Sequence, residues 1–129
     1  MHWSTQYIGE KYIEGVNDCA SFAVKVQSEI FNRKVVLPQD RDDSIKGISE
    51  QINKNKNDCA TPTSDPMEGD AVLMIGKGRT NHIGIYVYFC NVPYVLHAMR
   101  GINQVCLHRI RDLATAGLKL EGFYKWKTH

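Results

Sequence analysis

The chain has 129 residues, 43% of them in the hydrophobic class, and a formal net charge of +2. That length suits one compact domain with a real core and is too short for two, so residues 1–129 are read as a single domain. Scattered basic residues exclude a nucleic-acid stripe, and no apolar run reaches the roughly 20 residues that cross a membrane as a helix.

The opening segment, His2 to Glu14, carries Trp3, Tyr7 and Tyr12 with Gly9 and Gly15 as breakers, and reads as a short helix or turn leading into a loop. Asp18 can cap a helix running from about Cys19 to Asn32, because Phe22, Ala23, Val26 and Ile30 recur at helical spacing on the face that carries Cys19. Pro38 stops any extended piece made by Val35-Val36-Leu37. From Gln39 to Glu68 the composition turns polar. Ile45, Ile48 and Ile52 keep a helical rhythm there, which predicts a second, smaller helix and then a loop with Pro62 and Pro66. The Lys-Asn run Asn53 to Asn57 reads as a solvated loop.

Downstream the period changes to two. Asp70 to Ile75, His82 to Phe89, Tyr94 to Ala98, Ile102 to His108 and Gly122 to Trp126 read as strands separated by Gly, Asn and Pro signals. Helix first and strands after predicts an α+β domain, with the helix packed on a mainly antiparallel sheet of about five strands.

Cys19, Cys59, Cys90 and Cys106 form no CxxC pair, and no two histidines stand at a metal-binding helical spacing, so the expectation is no metal and four free thiols. Cys90 and Cys106 read as buried strand residues. Cys19 is different. In the first turn of a helix, unsatisfied amides and the positive end of the dipole favour a thiolate and can hold an oxyanion. An ionised Asp18 opposes this unless its carboxylate is occupied.

A thiolate nucleophile needs a base. In the second strand His82, Gly84, Tyr86 and Tyr88 share one face, while Ile83, Ile85, Val87 and Phe89 share the other, which must meet the core. An even loop after this strand puts His97 on the face of His82, and an odd loop or bulge puts it on the opposite one. With the faces matched, His97 orients His82 toward Cys19, in the order nucleophile, base and orienter. His2, His108 and His129 are expected to be ordinary surface residues.

These segments resemble the NlpC-type cysteine endopeptidases of bacterial cell walls, and most of all the versions in phage tail-assembly and tail-tip proteins. The resemblance is carried by Tyr7-Ile8-Gly9-Glu10-Lys11-Tyr12, Gly15, Asn17-Asp18-Cys19, Phe31-Asn32-Arg33, Leu37-Pro38, Gly69-Asp70-Ala71-Val72, Asn81-His82-Ile83-Gly84-Ile85-Tyr86 and Leu96-His97-Ala98. It spans most of the chain from Trp3 to Ala98. Ala20-Ser21 and Val16 depart from the family pattern beside the cleft, which bears on substrate preference more than on the triad.

The resemblance implies a compact papain-like fold with Cys19, His82 and His97 as the catalytic residues. It implies Tyr12, Asp18 and Ser21 as substrate-binding residues, Tyr12 lining the cleft or aiding the oxyanion and Asp18 meeting a substrate amine. The implied reaction is hydrolysis of an amide in a peptidoglycan stem peptide, between D-glutamate and the diamino acid, with no metal or organic cofactor. With no basic segment and apolar core at its start, the chain is expected to carry no secretory signal, to be made in the cytoplasm, and to reach the wall on a virion or by delivery to the periplasm. Phage tail proteins or an immunity protein are the expected partners of a monomer that binds neither nucleic acid nor membrane. The alternatives are an antibacterial effector amidase of a contact secretion system, a non-catalytic tail module, and a transferase or deamidase.

Overall fold

The computed structural model describes residues 2–35, 60–76 and 79–127, and for residues 79–81 the backbone only. The predicted helix over Gln39 to Glu68 falls largely outside these residues, as do Cys59 and His129. A short 3-10 turn, Trp3–Gln6, precedes α1, Cys19–Phe31. Six strands follow among the described residues: β1 Ala60–Thr63, β2 Ala71–Gly76, β3 Arg79–Phe89, β4 Val92–Met99, β5 Gln104–Arg109 and β6 Leu118–Trp126. They form one sheet in the order β1-β6-β2-β3-β4-β5, and every pairing is antiparallel.

Helix α1 starts where the sequence marks it. The Asp18 side chain accepts from the Ser21 amide, and Asn32 closes the helix in the left-handed region at φ 53°. Its apolar face, Phe22, Ala23 and Val26, packs with Ile85 and Val87 of β3, Leu96 and Ala98 of β4 and Val105 of β5. The opposite face of the sheet holds a second cluster of Val72, Met74, Tyr86 and Val95, covered by Leu113 from the 3-10 segment Ile110–Ala116. The sheet is thus buried on both faces, α1 on one and the 3-10 segment on the other. The purely apolar side of β3 turned to α1 as its alternation predicts.

Three parts of the chain depart from the sequence reading. Ala60–Thr63 is a strand where a loop was predicted, and it tolerates Pro62 because β1 is an edge that, among the described residues, pairs with β6 alone. Strand β6 begins at Leu118, four residues before the expected Gly122, drawn out by pairing with β2 across a register shift. The 3-10 segment Ile110–Ala116 carries no helical apolar rhythm long enough to be read in advance.

Gly69-Asp70 ties the sheet together. The Gly69 amide donates to the Tyr86 carbonyl at 2.9 Å, and the Tyr86 amide donates to the Asp70 carbonyl at 2.8 Å. The buried Asp70 carboxylate accepts from the Met67 amide at 2.8 Å and from Lys125 at 2.9 Å. Gly69 stands at φ +90° with the Phe31 ring 2.7 Å from where a Cβ would lie, so both its conformation and its space demand glycine.

Candidate active site

Cys19 is the first residue of α1 and is buried, in a cluster with Ala60, Ala71, Leu73, Ile83 and Tyr124. Ile83 is the chain neighbour of His82, and strand alternation turns Ile83 to the α1 face with Cys19 while His82 lies on the opposite face of the sheet with Gly84 and Tyr86, so the strand does not bring the thiol and this imidazole onto one face. Asp18 is buried beneath the same turn, one carboxylate oxygen accepting from the Ser21 amide at 2.8 Å and the other from the Gly15 amide at 2.9 Å. Two backbone donors spread its negative charge, which relieves the opposition it offers to a neighbouring thiolate. Ser21 contributes its amide to this cap. Before the cap, the Asn17 side-chain amide donates to the Lys11 carbonyl at 2.9 Å, and its buried Oδ1 has no hydrogen-bond partner among the described residues.

Tyr12 flanks the thiol. Burial raises its phenol pKa and negative charge on Cys19 and Asp18 adds to the rise, while the Arg100 guanidinium, 5.8 Å from the ring centre, opposes it. Arg100 also pairs with Glu14 at 2.8 Å. A cation therefore stands on the Tyr12 side of the sulfur, a feature with no motif to announce it.

His82 and His97 meet. Ile85 pairs with Leu96 and Phe89 with Val92, so Cys90-Asn91 is a two-residue turn. Both turn residues have positive φ, 52° and 63°, which suits the primed turns that join twisted antiparallel strands. The even loop carries His97 opposite Gly84, on the face of His82, and His82 Nε2 lies 2.6 Å from His97 Nδ1. Gly84 makes the approach possible: a Cβ there would lie 2.4 Å from Val95 Cγ2 and 3.0 Å from His97 Cβ. On the other side of β3, Met74 pairs with His82 and Ile75 with Thr80, so Asn81 is the extra residue of a bulge. Bulges re-aim the side chains beside them, and this one adjoins His82.

His97 is fully buried and His82 half-buried. Burial lowers the His82 pKa from 6.5 to about 4, with His108 adding to the shift. Burial also drives His97 well below the ordinary value, helped by His82 and His108. Both rings are neutral near pH 7, as a proton acceptor and its orienting group must be.

The cluster extends further than the sequence reading allowed. His108, expected at the surface, is half-buried, and its Nδ1 lies 2.9 Å from His97 Nε2. Cys106 stands between them, its sulfur 3.6 Å from His97 Nε2 and 3.4 Å from His108 Nδ1. Val95 pairs with His108 and His97 with Cys106, so strand alternation alone aligns the three on one face. Helical and CxxC spacings miss such a cluster; the x-His-x-Cys-x-His signal is split between two strands. Burial pushes the Cys106 thiol up from 9.0 to about 11, which leaves it a poor nucleophile.

His2 is also not a surface residue. It caps the first 3-10 turn by accepting from the Ser4 amide at 3.1 Å and reaches Glu68 at 3.1 Å. Cys90, read as a buried strand thiol, is exposed because the chain turns there. No protein-family model and no curated protein matches this chain.

Proposed function

We propose that the protein is a cysteine hydrolase of NlpC type with a papain-like arrangement, acting on an amide bond of peptidoglycan stem peptides through Cys19, His82 and His97. The observation that carries the reading is the 2.6 Å bond between His82 and His97, formed next to a strand residue that shares a buried cluster with the cysteine at a helix tip. Packing alone gives no reason for a fully buried neutral imidazole beside a half-buried one, since a polar ring in a core costs stability unless a partner such as this one satisfies it.

This reaction requires His82 to reach the thiol around the bulged end of β3, since the strand sets its ring on the sheet face opposite Cys19. Its Nε2 proton is held by His97 Nδ1, so Nδ1 of His82 accepts the Cys19 proton. The thiolate attacks the carbonyl carbon, and the negative charge formed on the carbonyl oxygen is held at the start of α1. His82 returns the proton to the leaving amine as the carbon-nitrogen bond breaks. A water then gives a proton to His82, attacks the thioester and frees the acid, while the sulfur recovers its proton. Tyr12 lines the cleft beside the sulfur. Asp18 shapes the helix start and meets a substrate amine, and Ser21 borders the same edge. Arg100 offers a cation to a free carboxylate of an acidic stem peptide. The D-glutamate to diamino acid bond, and a phage tail or an immunity protein as partner, follow from the family resemblance.

The test is digestion of purified peptidoglycan followed by mass spectrometry of released peptides. Wild-type protein should shorten stem peptides, and Cys19→Ala, folded by circular dichroism, should release none. Full activity of the alanine variant would eliminate the mechanism.

A further inference from the structure

The geometry points to a transition-metal site of zinc type on the sheet face remote from α1, with His97 Nε2, Cys106 Sγ and His108 Nδ1 as three ligands and water available for the fourth position. The three donor atoms stand 2.9, 3.4 and 3.6 Å apart. A tetrahedral zinc ion with ordinary bond lengths separates two nitrogens by roughly 3.3 Å and a nitrogen from a sulfur by roughly 3.6 Å. The triangle they form has its centre about 1.9 Å from each donor, so an ion slightly above its plane reaches all three at normal bond lengths. All donor atoms of the group lie within 4.8 Å of one another.

Three further observations support the assignment. Two imidazoles and one thiolate are a donor set that suits zinc and its neighbours and not magnesium or calcium. The donors come from paired positions of adjacent strands, so the sheet fixes their separation. His97 has its outer-shell partner in place: with a metal on Nε2, its Nδ1 carries the proton and donates to His82 Nε2 at 2.6 Å. His108 is half-buried, which puts one donor of the group at the edge of the solvent.

The site stands independently of the hydrolase reading. Its one consequence for that reading is that the His97 to His82 hydrogen bond then runs in the sense opposite to the one catalysis needs, which makes metal-loaded protein the inactive form.

The experiment titrates chelator-stripped full-length protein with cobalt(II), a spectroscopic substitute for zinc, and with zinc in a calorimeter. The expected result is one equivalent bound, tetrahedral ligand-field bands in the visible and a thiolate-to-cobalt band in the near ultraviolet. Cys106→Ser should remove the thiolate band and weaken binding by more than the roughly hundredfold that loss of an outer-shell partner alone costs at most. His108→Ala should keep the thiolate band and weaken binding, which guards against a Cys106 variant that simply fails to fold. Cys19→Ala should bind as wild type, so metal binding and hydrolysis are judged separately. Absence of binding, octahedral bands without a thiolate transition, or a thiolate band lost in Cys19→Ala and kept in Cys106→Ser would each overturn the assignment.

Discussion

At the scale of single residues, the chemistry of Cys19 and Cys106 is set by place. Both are thiols in the same small domain. One opens a helix whose acidic cap is engaged by two backbone amides, and the other is held protonated by burial to about 11. Iodoacetamide should therefore alkylate Cys19 at neutral pH in preference to Cys106, with exposed Cys90 replaced by serine so that its signal does not interfere. His82→Ala should slow that alkylation by about a hundredfold, the low end of what losing a positioned base gives, and His97→Ala should slow it less. Peptide mass spectrometry after timed quenching reads both effects, and equal rates in wild type and His82→Ala would separate the imidazole from the thiol.

The buried imidazoles also link stability to pH. The His82 pKa falls from 6.5 in a free chain to about 4 in the fold, so between those values the unfolded state binds the proton and the folded state does not. The stability contributed by keeping this ring neutral is therefore complete above pH 6.5, declines as pH falls toward 4, and changes no further below that. His97 is shifted in the same direction. Thermal unfolding of metal-free protein should show a melting temperature that drops from pH 7 to pH 4, and the drop should shrink in His82→Gln. An unchanged slope in the variant would assign the acid sensitivity to the carboxylates instead.

At the scale of elements, the β3-β4 hairpin is the device that assembles the candidate site. Its two-residue turn sets the register, and Gly84 leaves the hole into which Val95 and His97 fit. Gly84→Ala should push the two strands apart and cost about 1–3 kcal/mol, the usual range for an overpacked core. Urea denaturation gives the size of the loss. Proton spectra of the imidazole region should show the His82 and His97 signals moving together, because the added methyl group presses on His97 itself. The outer edge of β5 is protected by the same N-terminal segment that leads to Cys19. The Gly9 amide donates to the Val105 carbonyl at 2.9 Å, and the Val105 amide to the Glu10 carbonyl at 2.8 Å. Tyr12 thereby reaches Cys19 from a strand-like approach pinned to β5.

At the scale of the molecule, α1 and the sheet are joined by polar groups as well as by the apolar core. Gln27 is fully buried. Its amide donates to the Gly69 carbonyl at 2.8 Å, its side-chain oxygen accepts from Arg33 at 3.2 Å, and the Trp126 indole donates to the same Gly69 carbonyl at 2.9 Å. The middle of the helix, its C-terminal end, the entry to β2 and the end of β6 are tied at one point. Gln27→Leu keeps the volume and strands the Arg33 and Gly69 partners, so it should cost about 1–3 kcal/mol by urea denaturation. A variant as stable as wild type would mean that water replaces the amide at both partners.

Much of this was legible in the residues themselves. The helix start follows from Asp18 and an apolar stripe at 3.6-residue spacing. The core side of β3 follows from four apolar residues at alternate positions, because burial and backbone period act within a few residues of chain. The pairing of His82 with His97 could be written down only as a condition on loop parity, since Cys90-Asn91 turns the chain by left-handed backbone that two non-glycine residues adopt less readily. What tertiary structure alone decided is who stands next to His97. Cys106 and His108 arrive from a neighbouring strand by a register fixed through backbone hydrogen bonds over the whole β4-β5 ladder, and Arg100 reaches Tyr12 across nearly ninety residues of chain. Local sequence determines period, caps and faces because those are short-range properties; the neighbours across a sheet depend on how every strand settles against the others, which no single segment encodes.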